Sequence, residues 1–127
     1  MSDATIIIEG LAGKTPTLMF TKGGSEFVQF SVAVNEVVVA ADGSKEKGRT
    51  TWYEVIAWSA LARALADAVR TGTVLLVVGR FRQVDWVGNE GDARQKLTIS
   101  AEHVGLVPKF KPVGVRTIRD DQQAEPF

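Results

Sequence analysis

The sequence predicts an all-β domain: a small five-stranded barrel with one short helix between its third and fourth strands. Three observations predict it. Short β-branched or alternating apolar runs are separated by glycine-bearing turns. One alanine-rich stretch, residues 59–69, carries helical spacing instead. The 127 residues leave room for one domain, and 45% of them are hydrophobic, enough for a core and too many for a disordered chain.

Taken in order, Ile6, Ile7 and Ile8 form a β-branched start that Gly10 and Gly13 interrupt. Pro16 begins a new segment, in which Leu18 to Phe20 and Phe27 to Val34 flank Lys22-Gly23-Gly24-Ser25. That is a hairpin signal, since glycine supplies the positive φ of a tight turn. Val28, Phe30 and Val32 alternate with Phe27, Gln29 and Ser31, giving one apolar face. Val37 to Val39 prolong the strand, and the charged run Ala41 to Arg49 reads as a loop. Thr50 to Trp58 is the next strand. In the helix Ser59 is the expected N-cap, Leu61, Leu65 and Val69 recur at i, i+4 and i+8, and Gly72 stands at C′. Thr73 to Arg82 is a strongly apolar strand that continues towards Trp86 and a turn-rich tip, Val87 to Asp92. Gln95 to Val107 returns, with Gly105 marking a bulge or bend. Three strands, a helix and two strands suit the OB barrel. Residues 1–108 are the expected domain; 109–119 read as a short linker and 120–127 as an acidic tip, together a disordered tail.

Composition excludes several kinds of chemistry. Without cysteine there are no disulfides, thiol nucleophiles or thiolate metal sites. His103 is the single histidine, so it is expected to be structural or superficial rather than a ligand or base. No nucleophile–base pair, phosphate loop or metal cluster is visible, so neither an enzyme nor a cofactor is expected. No apolar run approaches a membrane span of about 20 residues, and the N-terminal residues lack a basic leader region, so no membrane association and no export are expected. Net charge is zero, but it is unevenly placed. All fifteen cations and twelve of the fifteen carboxylates precede residue 120, a formal +3, and Asp120, Asp121 and Glu125 give the last eight residues −3.

The residues that could bind a ligand are aromatic and basic. Strand alternation puts Trp52, Glu54, Ile56 and Trp58 on one face and Tyr53, Val55 and Ala57 on the other. Two indoles and a carboxylate suit an exposed face, where the indoles make a platform for planar rings. Each base–aromatic stack contributes about 1–3 kcal/mol whatever the base. Trp86 leads into a turn and is expected near solvent. Lys47, Arg49, Arg80, Arg82, Arg94 and Lys96 lie around these aromatics, as a groove following a phosphate backbone requires. Glu54, Asp85, Glu90 and Asp92 lie among them, so a solvated face of mixed charge stays open. Core packing or a subunit contact also stays open for the tryptophans, and a carbohydrate-binding barrel would use them in the same way.

Spacing narrows the choice. Thr50-x-Trp52-x5-Trp58-Ser59-Ala60-Leu61-Ala62, then Arg70-Thr71-Gly72, then Gly79-Arg80-Phe81-Arg82-x3-Trp86, resembles bacterial-type single-stranded DNA-binding proteins without a gap. Gly91 and Arg94 extend the match, and Ile6 to Gly13 with Pro16 resemble the family's opening strand and turn. The resemblance covers about residues 4–107. It implies an OB fold, sequence-independent binding and protection of single-stranded DNA in replication, recombination and repair, and a homotetramer. It places Trp52, Trp58 and Trp86 on base-stacking positions, and Lys47, Arg70, Arg82 and Arg94 on basic positions near DNA. Tyr53 falls near a subunit interface, at a position often occupied by histidine. Val38 stands where many members carry a further tryptophan, and Glu54, Val84 and Asp85 replace residues that are often basic, which implies fewer phosphate contacts. The acidic tip Asp120, Asp121, Glu125, Pro126 and Phe127 resembles the segment through which the family recruits replication and repair proteins. The resemblance implies a cytoplasmic, nucleoid-associated protein of a bacterium or of an infected bacterial cell. A primosome-type or RNA-binding OB protein is the alternative.

Overall fold

The structure is a computed structural model and describes residues 4–108. The linker and the tip, with Asp120, Asp121, Glu125, Pro126 and Phe127, lie outside the described residues. Six strands and one helix follow in the order β1 (Ala4–Ala12), β2 (Met19–Phe20), β3 (Glu26–Val39), β4 (Lys45–Trp58), α1 (Ser59–Ala68), β5 (Val74–Val87) and β6 (Ala93–Leu106). The sheet runs β1-β5-β6-β4-β3-β2 and closes because β1 also pairs with β3, through Leu11↔Ala33 and Ala12↔Val32. Five long strands therefore make the expected barrel. The sixth, β2, is the short first arm of the hairpin, pairing only Met19↔Phe27 and Phe20↔Glu26, so that α1 falls between the fourth and fifth strands in chain order.

Closure depends on one close approach. β1 is still paired with β5 at Gly10 and Leu11 and takes up β3 from Leu11 onward; a Cβ on Gly10 would stand 2.5 Å from the Ala33 carbonyl oxygen. A side chain there would hold the two backbones apart, so glycine is needed for contact rather than for its φ.

Inside, alternate residues of the strands meet: Val28, Phe30 and Val32 of β3, Val55 and Ala57 of β4, Leu75 and Val77 of β5, and Ile99 of β6. Helix α1 adds Ala62 and Leu65, with Val69 just beyond it, and Leu61 packs half-buried beside them. Burying each such Leu, Ile or Val contributes about 1.5–3 kcal/mol, which is why the i, i+4, i+8 stripe faces the barrel.

Four local expectations need correction. Ser59 is the first helical residue, with φ 57°, and the cap position is Trp58, which makes no side-chain capping bond. Trp58 is still paired with Phe27 in the sheet, so the whole turn from strand to helix falls on Ser59. Gly72, at φ 88°, serves a turn after the helix, closed by the Thr73 amide donating to the Arg70 carbonyl at 2.9 Å. Residues 45–49 are strand rather than loop: Lys45 and Lys47 pair with Val39 and Val37, and the turn shrinks to Ala40–Ser44. Backbone pairing to a valine strand outweighs the polar composition there, because an exposed arm tolerates lysines. Finally, the irregularity in β6 falls at Glu102, between the pairs Gly79↔Ala101 and Val78↔His103, while Gly105 pairs regularly with Leu76. His103 is exposed on that strand, as expected. No helix among the described residues is long and apolar enough to cross a membrane.

Candidate nucleic-acid interface

Strand register turns the outward residues of four strands into one face. Across β3 and β4 the pairs Phe27↔Trp58, Gln29↔Ile56, Ser31↔Glu54 and Ala33↔Trp52 share the side of the sheet opposite the core cluster, where Ala33 alone is covered, at 8% exposure. β4 continues onto β6 through Glu54↔Thr98 and Ile56↔Ser100. β6 continues onto β5 through Ser100↔Arg80, Thr98↔Arg82, Lys96↔Val84 and Arg94↔Trp86. Directly paired residues lie on the same side of a sheet. Three tryptophans and four cations, separated by up to forty-four positions in sequence, therefore share one surface.

The three indoles are well exposed: Trp52 55%, Trp58 43% and Trp86 43%. Trp52 and Trp86 line one open groove of about 420 Å³, with Ser31, Glu54, Gln95 and Lys96. An adjoining groove of about 380 Å³ is lined by Trp86, Glu54, Ile56, Val84, Lys96 and Gln29. Trp52 is seated on small residues, since a Cβ on Gly13 would come within 2.9 Å of its ring and Ala33 is its strand partner. Trp58 lies at the other end of the face, beside Phe27, with ring centroids 5.2 Å apart and planes tilted by 37°.

Most cations on this face have carboxylate neighbours. Lys96 Nζ is 3.0 Å from Glu54 Oε1 and 5.9 Å from the Trp86 ring centroid. Arg80 Nε lies 3.2 Å from Glu102 Oε2, and Arg94 is 3.9 Å from Asp92. These are exposed or half-exposed pairs, each contributing about 0–1 kcal/mol, weak enough for a phosphate to displace. The mixed charge foreseen around the aromatics is thus present, on the same face as the indoles.

The other expected residues fall elsewhere. Arg70 stands just past α1, where its guanidinium donates to the carbonyls of Val69 (2.9 Å) and Ala66 (3.5 Å), satisfying the end of the helix. Lys47 belongs to the β3–β4 arm beyond the register shift at Glu36, and Arg49 lies at that shift, its amide donating to Glu36 Oε1. None of these three is among the residues lining the two grooves. Tyr53 is on the inner side of β4, half-buried against the core, with its ring edge-on to Phe81 at 6.4 Å. Phe27, Gln29, Ser31 and Thr98 were not singled out from sequence. Their outward alternation was legible, but the register that brings them opposite Trp58, Ile56 and Glu54 was not.

An OB-type barrel with an open aromatic and basic face across its strands is the architecture of a single-stranded nucleic-acid binder. The chain belongs to the Single-strand binding protein family, which it matches over residues 3–107. It is similar to single-stranded DNA-binding protein 1 of Xylella fastidiosa (strain 9a5c), with 25% identity over 79% of this chain and 74% of that protein. The single-stranded DNA-binding protein of Thermus aquaticus is 33% identical over 76% of this chain, which spans only 34% of that longer protein. Single-stranded DNA-binding protein 2 of Chlorobaculum tepidum is 28% identical over 94% of this chain and 78% of its own. In fold, the chain superimposes on the crystal structure of the small single-stranded DNA-binding protein from Streptomyces coelicolor with a TM-score of 0.74, covering 84% of this chain and 96% of that one at 24% identity.

Proposed function

We propose that the protein binds and protects single-stranded DNA with little sequence requirement, as its membership of the family suggests. Bases stack on Trp52, Trp86 and Trp58, while Arg80, Arg82, Arg94 and Lys96 meet phosphates along the same face. The single observation that carries this is the convergence of Trp52 and Trp86 on one open groove beside Lys96. Lys47, Arg49 and Arg70 contribute through a longer path of the strand rather than through the grooves. The protein acts by binding, in replication, recombination and repair, and no catalytic step is assigned to it.

A homotetramer is part of this proposal. The outer side of β1 and β5 supports it: Ile7, Leu11 and Leu76 are exposed there on neighbouring strands. Apolar surface of that kind is usually covered by a partner. The acidic tip, Asp120, Asp121, Glu125, Pro126 and Phe127, recruits replication and repair proteins carrying basic pockets.

The test is intrinsic fluorescence. A mixed-sequence single strand should strongly quench the tryptophans at low salt, whereas the matching duplex and neutral oligosaccharides should not. An unchanged spectrum with the single strand, or equal quenching by an oligosaccharide, rejects the proposal.

A further inference from the structure

The middle of the proposed binding face is a carboxylate. Glu54 lies on the groove floor, in the row Ser31–Glu54–Thr98–Arg82 that crosses four strands, and it lines both adjoining grooves with Trp86 and Lys96. Its side chain is only 24% exposed, and two donors hold it in place. Lys96 Nζ sits 3.0 Å from Oε1, and the Gln29 side-chain amide donates to Oε2. A carboxylate has about four acceptor positions, so about two remain for a ligand. It is a fixed acceptor and cannot donate while ionised.

A base stacked on Trp52 or Trp86 covers one of its faces with the indole and leaves its edge free to meet Glu54, which lines the same groove as both rings. The exocyclic groups then decide the fit. Cytosine N4 and adenine N6 carry amino hydrogens that a carboxylate accepts, whereas uracil and thymine present a carbonyl oxygen at the corresponding position. Placing that oxygen against Glu54 sets acceptor against acceptor in a partly dehydrated cleft, and the one donor on that edge, N3–H, stands between two carbonyl oxygens that repel a carboxylate. We propose that Glu54 discriminates among bases, favouring those whose edge presents an amino group and disfavouring uracil and thymine. This rests on single-stranded DNA binding at this face and adds a compositional bias to it.

The competing account is that Glu54 merely cancels the charge of Lys96, which would weaken binding to every sequence alike. Oligo-dC and oligo-dU of equal length separate the two, since they differ only in the group at C4 and the proton at N3. Affinities are measured at pH 8, where cytosine is neutral, for the wild-type protein and for Glu54→Gln. Glutamine keeps the shape, and its amide can both donate and accept. Glu54→Gln should lower the dC-to-dU affinity ratio by about five-fold, chiefly by improving binding to dU. Glu54→Ala, which removes the acceptor, should lower it as well. Equal gains on both polymers would overturn the proposal and leave Glu54 a charge-balancing residue. If wild type and variants, with unchanged circular dichroism, bind neither polymer, DNA binding itself fails, and this inference falls with it.

Discussion

Trp58 and Trp86 are equally exposed at 43%, yet their surroundings differ. Trp58 is the last residue of β4, paired with Phe27 and ring against ring with it, one residue before the chain turns into α1. Trp86 stands far out on the β5–β6 hairpin, where residues 82–87 are all exposed, paired with Arg94 and beneath Lys96. The first indole belongs partly to the packing of the barrel. The second is flanked by Lys96, Glu54 and Val84 of the open grooves instead of by a ring of the barrel. Exposure therefore does not define a ligand-binding aromatic; what the rest of the ring touches does.

Three experiments break or sharpen that contrast, from the largest expected effect to the smallest. Replacing Trp52 and Trp86 together by alanine removes both rings of the main groove. At about 1–3 kcal/mol per stack, affinity for a single strand should fall at least about thirtyfold, with little change in melting temperature. Fluorescence anisotropy of a labelled strand measures it, and a loss under about tenfold would shift the main contact to Trp58.

Trp58→Ala should cost about tenfold in affinity and also destabilise the fold. Losing the pair with Phe27 removes about 0.5–1.5 kcal/mol beyond area burial, which lowers the melting temperature by several degrees. Trp58→Phe should recover the stability, and Trp86→Ala should leave it unchanged. Calorimetry of the three variants decides the matter: identical melting temperatures for Trp58→Ala and Trp86→Ala would erase the distinction drawn between the two rings.

The smallest effect concerns charge. A cation that gains a phosphate contact changes the logarithmic salt slope by about 0.7 on single strands. Lys96 must first leave Glu54, so Lys96→Ala should reduce the slope by clearly less than about 0.7, as read from titrations across a salt series. A full decrement would show that Glu54 releases Lys96 entirely when DNA binds.

Much of this site was legible before any coordinates. Period-two alternation in Thr50 to Trp58 already separated Trp52, Glu54 and Trp58 from Val55 and Ala57, and the barrel buries the second set while the first stays on its outer side, with Glu54 half-buried. The helix was readable from Leu61, Leu65 and Val69, because a stripe repeating every fourth residue has one surface to bury. Its start was not, since Ser59 acts through a strained backbone angle rather than as a side-chain cap. Lys45 to Arg49 is strand despite its composition, because local polarity says nothing about a valine strand lying alongside.

Sequence alone determined the class of fold and which residues of each strand share a face, because these follow from periodicity along one strand or helix. Register and closure were decided only in three dimensions. They are long-range hydrogen-bond choices, and they bring Trp86 of β5 to Trp52 of β4, seat Lys96 between Glu54 and an indole, and set Phe27 against Trp58. A strand specifies the direction in which its side chains point, and only its neighbours specify what they meet.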